Sequence, residues 1–404
     1  MNYSIIAIAV SLVALVTSIV VFPFALKIAK HFGIVDNPNA RKLQRLPVPV
    51  FGGVVVYSGI LTGGLLLQAL IPNTTLAWGL VAMTAMMIVG TWDDISDLPA
   101  KLRFLIEILL VVGFIIVTDV YVDDFYGLWG IHKMNPLVAI PFSVFLGVGI
   151  INTINLIDGV DGYSSGYGMM ACVCFALAFR SVWSPIMVCM TLIMIAALLP
   201  FFLHNVFGKK SRMFIGDGGA LMLGMMLVVL TFCAMSSKGR VSGLSDSGMC
   251  VAAYLSAVGS IPLFDTIRVM TMRILRGRSP FSPDKTHMHH LFIDMGFSHI
   301  GAALSILFIN MIVILMWLLS WKLGFSFEVQ MYVVFFWGIL MTFGFYKFMK
   351  IQQNHGPKDE NGVPQGTALW RIMCKLGSMS HREKNASWRF MQKLVDGPLL
   401  IGKR

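Results

Sequence analysis

Four clusters of polar and ionisable residues stand beside long apolar segments in this chain, and their side chains are of types that bind cations and phosphates. The longest cluster, 152–162 (NTINLIDGVDG), holds two carboxamides, two carboxylates and two glycines. A polar cluster at the rim of a membrane segment is costly unless something uses it. The candidate residues are Asp93 and Asp94; Asn152, Asn155, Asp158 and Asp161; Asp217; and Asp284, Lys285, His287, His289 and His290.

Adjacent carboxylates such as Asp93 and Asp94 bind a hard cation, or one of them acts as a base because its neighbour raises its pKa. The alternative is a solvated acidic helix end balanced by Lys101 and Arg103. Asp217 lies among glycines at the predicted start of a membrane helix, where the backbone approaches an anionic ligand closely. Its alternative role is that of a helix N-cap.

The histidine run is more specific, because three imidazoles share one polar loop with Arg276 and Arg278. Imidazoles and guanidinium groups suit an anionic phosphate. Zinc is the other candidate ligand, but no cysteine lies nearby and the histidines lack the helical spacing of a zinc protease.

Together the clusters suit Mg²⁺, or Mn²⁺ in its place, held by few carboxylates and by the phosphates of a substrate. Lys101, Arg278 and the histidines would offset the phosphate charge. Positioning and electrostatics of this kind are what phosphoryl transfer requires.

The elements that position these clusters are membrane helices. A mean hydropathy of +0.78 with 13% charged residues excludes a soluble domain. We therefore predict an all-α polytopic membrane protein, and no nucleic acid partner despite the net charge of +11. Eleven spans are predicted, near 5–26, 50–70, 76–92, 102–120, 136–152, 163–180, 185–203, 216–236, 249–268, 301–320 and 327–346.

The distribution of Lys and Arg predicts the orientation. With the N-terminus outside, 26 of the 31 basic residues fall on the cytoplasmic side. All four clusters then lie on that side, so we expect the inner (cytoplasmic) membrane and a cytosolic, water-soluble substrate. Residues 1–350 are predicted to form the catalytic membrane domain. Residues 351–404 form a basic, aromatic-bearing tail that we expect to lie along anionic lipid headgroups.

The six cysteines show no paired metal spacing, and five lie in or beside apolar segments. We interpret them as small hydrophobic residues rather than as metal ligands or disulfide partners.

In this order, the clusters resemble the polyprenyl-phosphate N-acetylhexosamine-1-phosphate transferase family. The resemblance covers about 36–301. It rests on these motifs: Asp93-Asp94 with Lys101, 152–162, 214–219 (FIGDGG) and 279–291 (SPFSPDKTHMHHL). Eleven spans is also the number in that family.

The resemblance implies transfer of a sugar-1-phosphate from a UDP-sugar to a polyprenyl phosphate such as undecaprenyl phosphate, with release of UMP. It implies that Asp217, with Asn155, binds Mg²⁺, that Asp161 contacts uracil and that Lys101 binds phosphate. Asp93 and Asp94 would supply the base, or else a covalent nucleophile. A base in a single displacement is favoured, because a polyprenyl phosphate is already a good nucleophile.

The sugar prediction rests on the histidine loop. Family members that take UDP-MurNAc-pentapeptide usually carry three consecutive histidines, and Met288 interrupts that run here. We therefore predict UDP-GlcNAc, with UDP-MurNAc-pentapeptide and other UDP-acetamido sugars as alternatives. Gln44 and Ala220 depart from the family pattern, where His and Ser are common. The polymer that the product enters, and whether the chain forms a homodimer, are left open.

A transporter is the main rival from another class, and its ionisable residues would lie near mid-span. Asp265 with Arg268 is the closest exception to the charge-free spans, and we interpret these two residues as a local ion pair. A structural scaffold, the second rival, gives no reason to collect four such clusters on one face.

Overall fold

A computed structural model gives the fold, and it describes residues 3–36, 47–238, 242–280, 286–357, 365–380 and 386–397. Within these ranges the chain is helical almost throughout. The helices are α1 Tyr3–His31, α2 Gly52–Leu70, α3 Thr74–Ser96, α4 Ala100–Thr118, α5 Pro136–Ile157, α6 Tyr163–Ser181, α7 Pro185–Phe207, α8 Gly216–Met235, α9 Ser242–Ser245, α10 Val251–Val258, α11 Ser260–Leu275, α12 Met288–Asp294, α13 His299–Lys322, α14 Phe327–Ile339, α15 Phe345–Asn354, α16 Ala368–Met379 and α17 Ala386–Asp396.

All eleven segments predicted to span a membrane are helical. Eight helices of the described part are long and apolar enough to cross a bilayer: α1, α2, α3, α5, α7, α8, α13, and α14 continuous with α15. The α14–α15 helix is joined by a π-helical stretch, Leu340–Gly344. The prediction of a polytopic helical membrane protein is thus confirmed, while the number of eleven crossings stays a prediction.

The ninth predicted span, 249–268, is not one helix but two, because the chain breaks at Gly259 between α10 and α11. Pro262 has no amide hydrogen, so it leaves the carbonyl of Val258 without its helical donor. The side chain of Asn310 forms hydrogen bonds with the backbone groups at this break. Its Nδ2 donates to the carbonyls of Ala257 and Val258, and its Oδ1 accepts from the amide of Ile261 at 3.1 Å.

Helix α8 lies at the centre of the bundle, and nearly all of its residues are buried. Glycines let its neighbours approach closely, as is common between membrane helices. A Cβ on Gly90 of α3 would lie 2.5 Å from the backbone of Gly218, and one on Gly53 of α2 would lie 2.5 Å from Gly219. The first turn of α8 is therefore held between α2 and α3, and Asp217 lies in this turn.

The all-α prediction has one small exception in the described residues. Strand β1 (Val35–Asp36) pairs antiparallel with β2 (Val48–Pro49), and Val50 bridges to Phe214 just before α8. This pairing joins the end of α1 to the start of α8. The motif residues between the two strands lie outside the described residues.

The six cysteines are unpaired: four are buried and two are half-buried. This agrees with the prediction that they pack as small hydrophobic side chains.

Candidate active site

One cavity of about 440 Å³ opens where α3, α5 and α8 meet the loops that follow α5 and precede α13. Residues from all four predicted clusters line it. The lining residues are Val35, Asp36, Val50, Asp93, Asp94, Asp97, Asn155, Asp158, Gly159, Val160, Asp161, Asn205, Phe214, Ile215, Gly216, Asp217, His289, His290 and His299. The four clusters, which the sequence placed on one side of the membrane, therefore meet at a single cavity.

Asp94 fixes the first turn of α8 from outside that helix. Its Oδ1 accepts a hydrogen bond from the amide of Asp217 at 2.9 Å, and its Oδ2 accepts one from Gly218 at 3.2 Å. Amides at a helix N-terminus have no partner within the helix, and an oxygen acceptor satisfies them. Gly216 permits the contact, because its φ is +75° and a Cβ there would lie 2.6 Å from Asp94 Oδ2. The N-cap interpretation therefore fails for Asp217 and applies to Asp94.

Because Asp94 caps the helix, the side chain of Asp217 is left to face the cavity. It is 39% exposed, against 9% for Asp93. Asn155 Nδ2 donates to Asp217 Oδ1 at 2.7 Å. The two predicted metal ligands therefore touch across the gap between α5 and α8.

Asp93 is buried and engaged through both oxygens. Its Oδ1 accepts from the amide of Leu98 at 2.8 Å, and its Oδ2 accepts from Arg103 Nη1 at 2.7 Å. The same Arg103 atom lies 4.0 Å from Asp217 Oδ2, and Arg103 Nε lies 3.6 Å from Glu107 Oε1. Arg103 is thus the cation placed among the carboxylates, whereas the sequence suggested only a balancing charge.

Asp158 follows the end of α5 and accepts a hydrogen bond from the hydroxyl of Ser164 at 2.5 Å. Burial of the carboxyl raises the pKa of Asp158 well above its ordinary value, and the carboxylates of Asp217, Asp161 and Asp94 add to the effect. The Ser164 hydrogen bond opposes the shift only in part. The carboxyl group of Asp158 therefore keeps its proton to a higher pH than an exposed aspartate does.

Asp161 is surrounded by partners from three other segments. Its Oδ2 contacts Arg212 Nη2 and lies 3.0 Å from His299 Nδ1, while its Oδ1 accepts from Asn205 Nδ2 at 3.3 Å. Asn205 Oδ1 also accepts from the amide of Gly162 at 2.7 Å. Sequence reasoning missed Asn205, Arg212 and His299, because no local motif connects them to Asp161.

The three motif histidines divide between two environments. His289 and His290 line the cavity, and a Cβ on Gly159 would lie 2.4 Å from His289 Nε2. Burial lowers the pKa of His289 well below its ordinary value, and the neighbouring His290 and His287 lower it further. His289 is therefore neutral at neutral pH, so it contributes hydrogen bonds rather than the positive charge that we expected.

His287 faces away from the cavity, towards α11. Its Nδ1 lies 2.9 Å from Asp265 Oδ2, and Asp265 Oδ1 lies 2.7 Å from Arg268 Nη2. The guanidinium of Arg268 also lies 3.9 Å from the ring centre of Tyr346. The predicted Asp265–Arg268 ion pair is confirmed, and it extends to His287.

Sequence comparisons show which known proteins the chain is similar to. Residues 76–235 match the model of glycosyl transferase family 4. An Escherichia coli (strain K12) protein, undecaprenyl-phosphate alpha-N-acetylglucosaminyl 1-phosphate transferase, is 31% identical over 284 residues, which are 68% of this chain and 73% of that relative. A Bacillus subtilis (strain 168) protein, named "Probable undecaprenyl-phosphate N-acetylglucosaminyl 1-phosphate transferase", is 30% identical over 303 residues, 74% of this chain and 81% of the relative.

The chain belongs to glycosyl transferase family 4. It is an enzyme of the phosphotransferase class, embedded in a membrane by multiple helices. The family resemblance drawn from the motifs is thereby confirmed, and the transporter and scaffold alternatives are set aside.

Four of the residues predicted for the site of this family-4 enzyme do not line the cavity. Lys101 and Arg278 are exposed, and His287 is held by Asp265. Asn152 donates to Glu107 and, at 3.0 Å, to the carbonyl of Val148. The roles assigned to these four residues stay predictions. Asp284 and Lys285 lie outside the described residues.

The donor set of the transferase suits a hard cation. The carboxylates of Asp94 and Asp217 and the amide of Asn155 lie around one cavity, and no thiol lines it. Among the described residues, no three His, Cys, Asp or Glu side chains form a ready metal cage. Such a site fits Mg²⁺, which commonly binds through one or two carboxylates and completes its shell with water and substrate phosphates.

Proposed function

We propose that this enzyme transfers N-acetylglucosamine-1-phosphate from UDP-GlcNAc to undecaprenyl phosphate in a Mg²⁺-dependent reaction. An oxygen of the lipid phosphate attacks the sugar-bearing phosphorus, the bond to the UMP oxygen breaks, and UMP leaves. The product, undecaprenyl-diphospho-GlcNAc, would begin a lipid-linked cell-surface polysaccharide.

The observation that carries the proposal is the convergence of Asp94, Asp161, Asp217 and His289 on one cavity. These residues come from four separate segments of a membrane bundle. A cavity at the ends of membrane helices admits a soluble nucleotide from water and a lipid phosphate from the headgroup layer. The names of the relatives support the same substrates.

Asp217 and Asn155 would hold the Mg²⁺ ion. When bound, Mg²⁺ would stabilise the negative charge that develops on the diphosphate. Arg103, 4.0 Å from Asp217, supplies a fixed positive charge beside that position.

We assign the base to Asp94 rather than to Asp93. Asp93 is buried, and its two oxygens are held by Arg103 and by the amide of Leu98. Asp94 is held in place by the amides of α8 and faces the cavity beside Asp217. In this scheme it accepts the proton of the lipid phosphate before a single displacement.

The nucleotide would bind towards Asp161, with uracil beside the carboxylate that Arg212 and His299 orient. His289 and His290 would donate hydrogen bonds to the sugar or to the diphosphate. We infer that the sugar donor is UDP-GlcNAc, because Met288 interrupts the run of three histidines that is usual in enzymes that take UDP-MurNAc-pentapeptide.

We place the cavity on the cytoplasmic face of the cell membrane. In the sequence, 26 of the 31 Lys and Arg residues fall on the side predicted to carry the four polar clusters, as the positive-inside rule requires of a cytoplasmic face.

The test uses the purified protein with undecaprenyl phosphate, Mg²⁺ and a panel of labelled UDP-sugars, with UMP release as the readout. We expect UMP from UDP-GlcNAc and none when Mg²⁺ is chelated. Turnover of UDP-MurNAc-pentapeptide alone would overturn the sugar assignment. Failure to release UMP from any sugar would overturn the reaction.

A further inference from the structure

The tail of the chain carries two helices that contact the catalytic bundle beside the cavity. We call them the C-terminal brace: α16 with the adjoining Ser380, and α17. Helix α17 holds the loop that carries Arg212, and α16 holds the loop that leads to His299; both residues contact Asp161.

Helix α17 holds the loop between α7 and α8 through a buried carboxylate. Asp396 is 8% exposed, and it accepts hydrogen bonds from the amides of Lys209, Lys210 and Ser211 at 3.1–3.3 Å and from the Ser211 hydroxyl at 2.7 Å. The ring of Trp388 adds an apolar contact, 4.8 Å from that of Phe207.

Burial alone would raise the pKa of Asp396, but the hydrogen bonds from the Ser211 hydroxyl and from the three amides hold the pKa below its ordinary value. The side chain is therefore an anion at neutral pH. Charge-assisted hydrogen bonds of this kind are stronger than neutral ones. Arg212, the next residue in the loop, contacts Asp161 in the cavity.

Helix α16 holds the second loop, between α12 and α13. Ser380 Oγ accepts from the amide of Ser298 at 2.8 Å, and Ser298 Oγ donates to the carbonyl of Ser380 at 3.2 Å. Gly377 lets the helix approach, because a Cβ there would lie 2.4 Å from the carbonyl of Met295. His299, the residue after Ser298, lies 3.0 Å from Asp161 Oδ2.

We propose that the C-terminal brace positions Asp161 by holding the residues next to two of its partners, Arg212 and His299, and that Asp396 is the main positioning residue of the brace. The nucleotide end of the cavity then depends on a segment distant in sequence. The expected effect on substrate affinity rests on the proposed function, whereas the effect on the loop does not.

The first test compares Asp396→Asn with the wild type in the UMP-release assay. An amide keeps the shape of the side chain but loses the charge that binds four donors. We expect KM for UDP-GlcNAc to rise about fivefold or more with kcat nearly unchanged, because uniform binding is lost rather than transition-state stabilisation. The matched control is Asp119→Asn. Asp119 is an exposed carboxylate at the C-terminal end of α4, away from the cavity, so this variant should keep the wild-type KM.

The second test asks whether Asp396 acts through Arg212. In an Arg212→Gln background, Asp396→Asn should change KM little further, because its route to Asp161 is already broken. A fully additive effect, or a KM within twofold of wild type for the single variant, would overturn the proposal.

A third measurement does not depend on the substrate. Hydrogen exchange of the peptide covering 205–214 should be faster in Asp396→Asn than in the wild type and unchanged in Asp119→Asn. If the wild type releases no UMP yet this exchange rises, the reaction is wrong and the brace stands. Unchanged exchange contradicts the brace whatever the activity.

A second inference comes from the outer faces of the same helices. Apolar side chains recur there at helical spacing, with basic residues at their flank, and the described parts of α16 and α17 expose no carboxylate. The exposed apolar residues are Leu369, Ile372, Leu376, Met379, Phe390 and Leu394; the exposed basic residues are Arg371, Lys375, Arg389 and Lys393.

We infer that this face rests on anionic phospholipid headgroups. An apolar stripe flanked by Lys and Arg is the pattern of a helix lying in the membrane interface. The brace contacts α7 and the loop before α13, and both of these helices are predicted to cross the bilayer, so the lipid surface is adjacent.

The test places a nitroxide on α16 in the full-length protein, reconstituted in anionic or zwitterionic nanodiscs. Leu376→Cys lies on the apolar stripe, and Ser378→Cys lies about 160° away around the same helix, both in a Cys374→Ser background. In anionic lipid we expect position 376 to be accessible to oxygen and position 378 to a water-soluble nickel chelate. Equal access of the chelate to both positions in anionic nanodiscs would contradict the inference, as would identical results in the two lipids.

Discussion

Aspartates gather at both ends of the bundle, and the two groups are built differently. At the end opposite the cavity, Asp123 accepts from the amide and the hydroxyl of Ser237 at 2.6 Å, and Asp119 pairs with Lys238. Asp124 accepts from the amide of Tyr126. Asp119 and Asp123 bind donors in the segment after α8, and Asp124 binds one in its own loop. None of the three lines the cavity.

At the cavity end, the carboxylates are held by other helices, and one of them is left open to the cavity. Asp94 from α3 caps α8, so Asp217 does not have to cap its own helix. The comparison teaches that the number of carboxylates does not distinguish a site from a structural loop. The site is distinguished by Asp217, whose carboxylate does not cap its helix because Asp94 accepts the backbone hydrogen bonds instead.

The largest expected effect is at Asp217. Asp217→Asn should lower UMP release at least about a hundredfold, because it removes the charge of the main Mg²⁺ ligand. Asp119→Asn, the exposed carboxylate at the opposite end, should leave the rate within twofold. Equal rates for the two variants would remove the functional distinction between the two ends.

Asp94 and Asp123 each hold backbone donors, so both alanine variants should lose stability. We expect about 1–2 kcal/mol for Asp94→Ala, which leaves the start of α8 uncapped. For Asp123→Ala we expect about 1–3 kcal/mol, because buried donors lose their acceptor. The variants should differ in activity: below the unfolding temperature, only Asp94→Ala should lose turnover. Thermal unfolding and UMP release on the same samples check this, and a comparable activity loss in Asp123→Ala would contradict it.

A matched pair of glycines measures the packing of the site. Gly159→Ala places a Cβ 2.4 Å from His289 Nε2, so we expect a loss of about 1–3 kcal/mol together with reduced kcat. A Cβ on Gly149, in α5, would meet no neighbouring segment within 4 Å. Gly149→Ala should therefore be neutral or stabilising by about 0.5–1 kcal/mol. In thermal unfolding we expect Gly159→Ala to be destabilised and Gly149→Ala not to be, and equal shifts would refute the close approach of Gly159 to His289.

The smallest effect is in the pH dependence of stability. The folded-state pKa of His289 is lowered, so its contribution is fully present above the ordinary value of 6.5 and is lost as the pH falls below it. Between pH 7.5 and pH 5, His289→Gln should therefore lose less free energy of unfolding than the wild type, and the difference should be no more than about 1.4 kcal/mol per pH unit. His132→Gln, at an exposed histidine at the opposite end, is the control. An unchanged drop in His289→Gln would show that His289 is accessible to water.

Much of the fold could be predicted from the sequence, because apolar runs of bilayer length must form helices and polar clusters must lie at their ends. Residues from all four clusters accordingly line one cavity. Sequence did not show how each helix is rotated about its axis. Lys101 and Arg103 are two residues apart on α4, and only Arg103 reaches the carboxylates.

Contacts between distant segments were equally invisible. The three partners of Asp161, namely Asn205, Arg212 and His299, carry no shared motif. The break at Gly259 depends on Asn310, about fifty residues later. The attachment of Asp396 to the loop before α8 has no local signal either, since it needs only three amides and one hydroxyl.

A structure of the protein with Mg²⁺ and UDP-GlcNAc bound would test the central claim most directly. We predict the diphosphate and its Mg²⁺ in contact with Asp217, with Asp94 beside them and the uracil next to Asp161. A nucleotide bound away from this cavity, or a metal ion held without Asp217, would contradict the account.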